Sequence, residues 1–151
     1  QTAVAAQGDL ITLSNENFAR YKPLVQLAQA TDTQTLADLY FRFYPLFQKA
    51  YEDLGYPGQY FNDRLVEAID SLLETPEISA PIALTQPRVF YEFADPKLEA
   101  RPAGKKVLLR MGPANAAVVK AKLRELRKAV TSAATQQGMV SPPHGGMRHW
   151  L

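Results

Sequence analysis

The fold is decided by residues 31–55, "TDTQTLADLYFRFYPLFQKAYEDLG". Apolar side chains recur every three or four positions through this stretch, which predicts an amphipathic helix of about five turns. Gly55 follows the last of them, so we expect the helix to end there. At the other end, Thr31–Thr33 offer hydroxyl and carboxylate caps, and Gln34 stands at the capping-box spacing from Thr31. The apolar positions are Leu36, Leu39, Tyr40, Phe43, Leu46, Phe47, Ala50, Tyr51 and Leu54.

Pro45 interrupts this pattern near its middle. A proline there removes the hydrogen bond to the carbonyl of Phe41, at a cost of about 3 kcal/mol when nothing compensates. We expect a bend that wraps the helix around its core. The alternative is a hinge, or an exposed carbonyl beside a ligand.

Helical patterns also flank this stretch. Ser14 begins the first, and Pro23 within it predicts a kink or two short helices near Tyr21. Pro57 and Gly58 predict a turn before a helix at about 59–74. A short helix follows from Ala103 to Gly112, and Pro113 is the first-turn proline of a final helix.

Residues 77–87, "EISAPIALTQP", show no helical period and indicate an extended connector. The aromatic and β-branched residues of "RVFYEF" favour a short strand, so one extended hairpin fits near 82–94. We therefore predict a mainly α, single compact helical domain of five or six helices. It occupies residues 14–136, between an N-terminal extension at 1–13 and a C-terminal tail at 137–151.

The composition is that of a globular domain: 151 residues, 46% of them hydrophobic, with no cysteine. The missing cysteine excludes disulfides, thiolate catalysis and cysteine-based zinc sites. No apolar run approaches the roughly 18 residues of a membrane-spanning helix, and the first residues do not resemble a signal peptide. We expect any export or anchoring segment to lie outside this sequence.

The charges are distributed unevenly. Residues 1–96 carry 6 Lys and Arg against 13 Asp and Glu, whereas residues 97–151 carry 11 against 2. Such polarity marks either a partner surface or two halves that attract each other in the fold, and the second is the simpler interpretation.

Three segments resemble a bacterial family known as domain of unknown function 3014. They are "NFARYKPLVQLAQATDTQTLADLY", "YPLFQKAYEDLGYPGQYFNDRLVEAIDSLLETP" and "FADPKLEARPAGKKVLLRMGPANAAVVKAKLRELR". The resemblance covers roughly residues 10–128. It implies a periplasmic domain that an N-terminal anchor and a Pro-rich linker tether to the inner membrane of a Gram-negative cell. It supplies no catalytic residues.

Several candidate sites emerge from the residues themselves. The densest hydrogen-bonding cluster consists of Tyr56, Tyr60, Asn62, Asp63 and Arg64. Asp63, Glu67 and Asp70 share a helix face, which we expect to be solvated or paired with the basic helix; Arg64 is expected to pair with Asp70 or the connector.

The final helix carries the other candidates. Lys120, Arg124, Arg127 and Lys128 cluster on one face, which is a candidate surface for an anion or a partner, although an intramolecular acidic partner is the simplest account. Trp150 and Leu151 are candidates for docking of the tail. His144 and His149 lack the spacing of a metal site, so we expect no metal and no cofactor.

We expect a non-catalytic interaction or scaffolding module of the cell envelope, in which the partner is another envelope protein and not nucleic acid. Two alternatives remain. One is a small hydrolase-like enzyme that uses the cluster from Tyr56 to Arg64, and the other is a binder of anionic ligands through the basic helix.

Overall fold

The computed structural model describes residues 4–7, 10–78, 81–86 and 90–138. These residues form a mainly α-helical domain with a small four-stranded antiparallel sheet, which confirms the predicted fold class. In chain order the elements are β1 (Val4–Gln7), β2 (Leu10–Leu13), α1 (Asn15–Ala19), α2 (Lys22–Ala30), α3 (Thr33–Arg42), α4 (Tyr44–Asp53), α5 (Phe61–Leu73), β3 (Ala83–Thr85), β4 (Glu92–Phe93), α6 (Pro96–Glu99), α7 (Ala103–Met111) and α8 (Pro113–Gln137).

The first helical pattern is divided as its proline predicts. Ser14 precedes α1, and Tyr21 precedes α2, with Pro23 in the first turn of α2. A proline is tolerated there because the first N–H groups of a helix have no partner within it. The prediction of two short helices that meet near Tyr21 is confirmed.

Pro45 has the same role, and here the prediction of one bent helix was wrong. Phe43 leaves helical geometry with φ −98° and ψ 4°, so that α3 ends at Arg42 and α4 begins at Tyr44. Pro45 therefore lies in the first turn of α4. In the first turn a backbone N–H would form no intrahelical hydrogen bond, so the proline, which lacks this N–H, does not carry the cost of a mid-helix proline.

The cap of α3 also differs from the capping box proposed for Thr31 and Gln34. Asp32 is the N-cap, and its carboxylate accepts hydrogen bonds from the backbone N–H and the hydroxyl of Thr35 at 2.9 and 3.0 Å. The hydroxyl of Thr31 instead donates to the carbonyl of Leu27 at 2.7 Å. The carboxylate cap predicted within Thr31–Thr33 is confirmed, whereas the capping box of Thr31 with Gln34 was wrong.

The sheet has the order β1-β2-β3-β4, with every neighbouring pair antiparallel. The β3–β4 pairing, with Leu84 opposite Phe93, confirms the hairpin predicted near 82–94. The strands within residues 4–13 were not predicted; β2 joins them to the sheet by pairing Ile11 with Leu84. The proposed domain boundaries stay predictions, and residues 139–151 of the tail lie outside the described residues.

Two clusters of buried apolar side chains lie around α7 and the start of α8. The first joins the sheet to α6 and α7, and the second joins α7 to α8. Helix α8 also packs against α2, α3 and α5, so it is the central helix of the domain. The buried members of the first cluster are Leu13, Ile82, Leu84, Phe93, Leu98 and Leu109, and those of the second are Leu108, Met111 and Ala116.

Candidate functional site

The segment between α4 and α5 carries the predicted cluster. Gly55 and Gly58 adopt φ values of 108° and 76°, which side chains other than glycine rarely tolerate. These two residues reverse the chain after α4, and Tyr60 then enters α5 in an extended conformation. Asp63 lies in the first turn of α5, where a carboxylate complements the helix dipole. The predicted turn and helix start are confirmed.

A glutamine on α4 holds this turn in place. The Gln48 Nε2 donates to the carbonyl of Gln59 at 2.7 Å, and its Oε1 accepts from the backbone N–H of Phe61 at 2.7 Å. The hydroxyl of Tyr44 donates to the same Oε1 at 3.0 Å and accepts from the N–H of Asn62 at 3.1 Å. The first N–H groups of α5 are therefore satisfied by α4 rather than by a local cap.

Asn62 is fully buried under this turn. Its Oδ1 accepts a hydrogen bond from the Tyr40 hydroxyl at 2.9 Å, and its Nδ2 has no partner among the described residues. Burial raises the pKa of Tyr40, since ionisation would place a phenolate away from water. Asn62 thus links α3 to α5 inside the domain and belongs to the scaffold.

The remaining members of the predicted cluster reach the surface. Tyr60, Asp63 and Arg64 line a cleft of ≈ 210 Å³ together with Tyr51, Gly58, Gln59 and Glu67. Tyr56 is absent from its lining and stacks on Tyr51, with ring centroids 4.7 Å apart. The cleft is smaller than the roughly 300–1,000 Å³ usual for small-molecule sites.

The predicted pairing of Arg64 with Asp70 was wrong. Arg64 donates to Glu67 one turn away at 3.0 Å, and both side chains are largely exposed. Asp70 instead binds Arg127 of α8 through Nε at 2.6 Å and Nη2 at 3.2 Å. The acidic face of α5 therefore meets the basic helix at one point, as the intramolecular interpretation of the charges predicts.

Two lysines of α8 donate hydrogen bonds to carbonyl groups at the C-terminal ends of other helices. The Lys120 ammonium, which is only 3% exposed, donates to the carbonyl of Thr75 just after α5. The Lys122 ammonium donates to the carbonyl of Thr31, the C-cap of α2. A cation at a helix C-terminus satisfies a free carbonyl and complements the helix dipole. These charges hold the fold together.

The candidate basic face is therefore divided. Lys120 is buried and Arg127 binds Asp70, whereas Arg124 and Lys128 are exposed. An anion at this surface would meet two of the four predicted side chains. Trp150 and Leu151, the proposed docking residues of the tail, lie outside the described residues.

A larger groove was not predicted from the sequence. It has a volume of ≈ 470 Å³ and lies between α1, the connector and the start of α8. Gly112 shapes its floor: it has φ 87°, and a Cβ there would lie 2.6 Å from the ring of Phe18. The adjacent Gly112 and Pro113 were the available sequence signal, which we interpreted as a helix boundary. The lining includes Leu13, Phe18, Lys22, Ile82, Met111 and Asn115.

Helix α4 presents a row of exposed apolar side chains, here called the α4 stripe. Leu46 and Leu54 are 64% and 77% exposed, and the two phenylalanines are more than 40% exposed. The adjoining side of α4 contains Tyr44, only 4% exposed, and packs against the start of α5. Phe47 borders both sides, since its ring also stacks on Tyr40 and Phe61. The stripe consists of Phe43, Leu46, Phe47, Ala50 and Leu54.

Two further properties concern metals and membranes. Within the described ranges, no group of three or more His, Cys, Asp or Glu side chains is placed to hold a metal ion. None of the helices in that part of the chain combines the length and apolar character needed to cross a bilayer.

Comparison with known proteins gives a family for the chain. No curated protein and no solved structure matches it. One family model does match, over residues 1–127, which is most of the chain. The chain therefore belongs to the family described as "Protein of unknown function (DUF3014)".

Proposed function

We propose that this domain is a non-catalytic protein-interaction module of the bacterial cell envelope, and that it binds its partner through the α4 stripe. The observation that carries the proposal is the exposure of Leu46 and Leu54 on a helix whose other side is already packed. The partner is an envelope protein that presents a complementary apolar face.

The physical argument concerns the cost of leaving this surface in water. Burying apolar area contributes about 25 cal/mol per Å². A partner that covers the exposed area of the stripe would therefore gain a contribution that the isolated domain lacks. Single exposed apolar residues are ordinary, but a contiguous row on one helix is typical of an interaction surface. An apolar helix face commonly binds an apolar groove or a second helix.

The proposed location follows from the family resemblance. We propose that the domain works in the periplasm and that an anchor outside this sequence tethers it to the inner membrane. Protease accessibility of the full-length protein in spheroplasts tests this. Digestion without lysis supports a periplasmic domain, whereas protection until lysis contradicts it.

Crosslinking and affinity purification from the native cells test the interaction. The wild-type chain should recover a partner in defined stoichiometry, and Leu46→Glu should lose it because a carboxylate replaces the centre of the stripe. The matched control is Val107→Glu on α7, which alters an apolar residue that is 42% exposed away from the stripe. Equal recovery by the wild type and Leu46→Glu would contradict the proposal.

A further arm of this experiment addresses the tail. A chain that ends at Gly138 retains the whole of α8 but lacks Trp150 and Leu151. Loss of the partner with this chain, and not with Leu46→Glu, would assign binding to the tail. Loss only with Leu46→Glu would assign binding to α4.

A further inference from the structure

We infer that the α4 stripe binds a second copy of this chain, and that the two α4 helices pack antiparallel across a two-fold axis. The inference rests on the proposed function, since it names the occupant of the same surface. Three properties of α4 carry it: the order of its apolar side chains, the charges at its ends, and its position at the edge of the domain.

The apolar side chains of the stripe are complementary to themselves. At about 100° per residue, Leu46, Phe47, Ala50 and Leu54 fall within one side of the helix, and Phe43 directly precedes its first residue. An antiparallel partner centred between positions 48 and 49 places Phe47 opposite Ala50, and Phe43 opposite Leu54. A large ring opposite a small methyl group allows the helix axes to approach to about 8–10 Å.

The charges at the two ends favour the same arrangement. Arg42 is exposed at the N-terminal end of the stripe, and Asp53 is exposed at its C-terminal end. Asp53 also pairs with Lys49 of its own helix at 3.0 Å, and Glu52 accepts a hydrogen bond from Gln48 on the side away from the stripe. An antiparallel pair brings unlike charges together at both ends, whereas a parallel pair brings like charges together. The antiparallel arrangement also opposes the helix dipoles.

The position of α4 leaves room for a second helix. It packs against α3 and α5 through the side that carries Tyr44 and Gln48, and these two side chains are committed to the turn before α5. Phe47 borders that side and stacks on Tyr40 and Phe61, with ring centroids 5.9 and 5.7 Å apart, whereas Leu46, Ala50 and Leu54 lie away from it. A second copy that covers these three side chains and the exposed part of Phe47 leaves the hydrogen bonds of Tyr44 and Gln48 intact.

The size of the surface limits the affinity. Five apolar side chains and the charges at their ends are fewer than the roughly 20–30 residues per side of a standard stable interface. We therefore expect a concentration-dependent dimer, with a dissociation constant on the order of 1–100 μM.

Sedimentation equilibrium of the purified full chain, from about 1 μM to 1 mM, tests the inference. The wild type should shift from monomer to dimer across this range. Ala50→Glu should weaken the dimer at least tenfold, because it places a carboxylate opposite Phe47 at an exposed position where the native methyl group makes few contacts. Val107→Glu should behave as the wild type. A wild type that stays monomeric, or a dimer that Ala50→Glu leaves intact, overturns the inference.

A charge exchange tests the antiparallel orientation. Arg42→Glu places two acidic groups at each end of its own homodimer, and Asp53→Arg places two basic groups there. Each variant alone should therefore dimerise at least tenfold more weakly than the wild type. An equimolar mixture restores unlike charges at both ends and should recover the wild-type affinity. Failure of the mixture to recover it overturns the antiparallel arrangement. Far-ultraviolet circular dichroism checks that both variants stay folded.

Failure of the inference is distinguishable from failure of the proposed function. A chain that stays monomeric in vitro, but captures a different protein from cells in a manner that depends on Leu46, overturns the homodimer and leaves the interaction module standing. A chain that stays monomeric and captures nothing through Leu46 overturns both.

Discussion

Arg127 of α8 and Asp70 of α5 are joined by two hydrogen bonds, from Nε to Oδ1 at 2.6 Å and from Nη2 to Oδ2 at 3.2 Å. Of the ion pairs between the basic C-terminal helix and the acidic half of the chain, this one has the paired geometry that makes guanidinium–carboxylate contacts strong. It fixes the middle of α8 against the last turn of α5.

Breaking this pair should destabilise the domain modestly. About two fifths of the surface of each side chain is exposed, so solvent screens part of the attraction between the two charges. We expect Asp70→Asn to lower the free energy of unfolding by about 0.5–1 kcal/mol. Urea denaturation measures it. Glu67→Gln, which breaks the exposed contact with Arg64, is the control and should have a smaller effect. A larger loss for Glu67→Gln would contradict the structural role of Asp70.

Replacement of Lys120 separates its packing from its charge. The side chain is buried and its ammonium satisfies the carbonyl of Thr75. Lys120→Ala leaves both a cavity and an unsatisfied carbonyl, so we expect a loss of about 2–4 kcal/mol. Lys120→Met fills the space and should cost roughly half as much. Urea denaturation of the two variants measures both losses of stability. Equal losses would show that packing of the Lys120 side-chain methylenes is unimportant.

Gly112 should tolerate alanine poorly. Its φ of 87° strains any L side chain, and a methyl group would also meet the Phe18 ring at 2.6 Å. We expect Gly112→Ala to cost more than about 2 kcal/mol. Gly58 provides the control, because it has φ 76° but no described atom lies within 4 Å of the position that a methyl group would take. Gly58→Ala should cost about 1 kcal/mol. Similar melting temperatures for the two variants would contradict this account.

The half-buried hydroxyl of Tyr40 predicts a loss of stability at alkaline pH. Its pKa is raised in the folded state by burial, so the unfolded chain releases this proton first. The contribution to stability is complete below about pH 10, the unfolded pKa, and is lost as pH rises through the folded value. Urea denaturation from neutral to alkaline pH measures this decline.

The variant that isolates this group is Tyr40→Phe. It leaves the Oδ1 of Asn62 without its donor, so we expect about 1 kcal/mol less stability at neutral pH but a shallower decline above about pH 10. Parallel declines for the wild type and the variant would show that the pKa of Tyr40 does not differ between the folded and unfolded states.

The sequence predicts best the parts that short-range rules control. Apolar spacing, the proline at Pro113 and the glycine at Gly55 predicted helix positions to within a few residues. Pro45 was misjudged because the same proline suits either a bent helix or the first turn of a new one, and only the tertiary packing of α4 on α5 decides between them. Of the strands at 4–13, β2 pairs with β3 some 70 residues away, which no local pattern shows, whereas β1 pairs with β2 directly after it, and this short hairpin was missed.

The candidate site was only partly predictable. Tyr60, Asp63 and Arg64 line one cleft because they are neighbours in sequence. Gln48 and Tyr44 were assigned no role from the sequence, and Tyr40 was placed only on the apolar face, because the hydrogen bonds by which they hold the turn span 11 to 22 positions. The spacing of Gln48 one turn after Tyr44 was the available signal. The exposed stripe was interpreted as core, since periodicity shows that a face is apolar but not what covers it.

The central position of α8 has a practical consequence for where this domain can be divided. The family match stops at residue 127, midway through α8. Val130 and Ala134, among the least solvent-accessible side chains, lie beyond that limit. A fragment cut at residue 127 would expose the surfaces of the neighbouring helices that these two residues cover. The unit that folds therefore extends further than the unit that sequence similarity recognises, and recombinant boundaries are better placed at Gly138, where α8 ends in a left-handed cap.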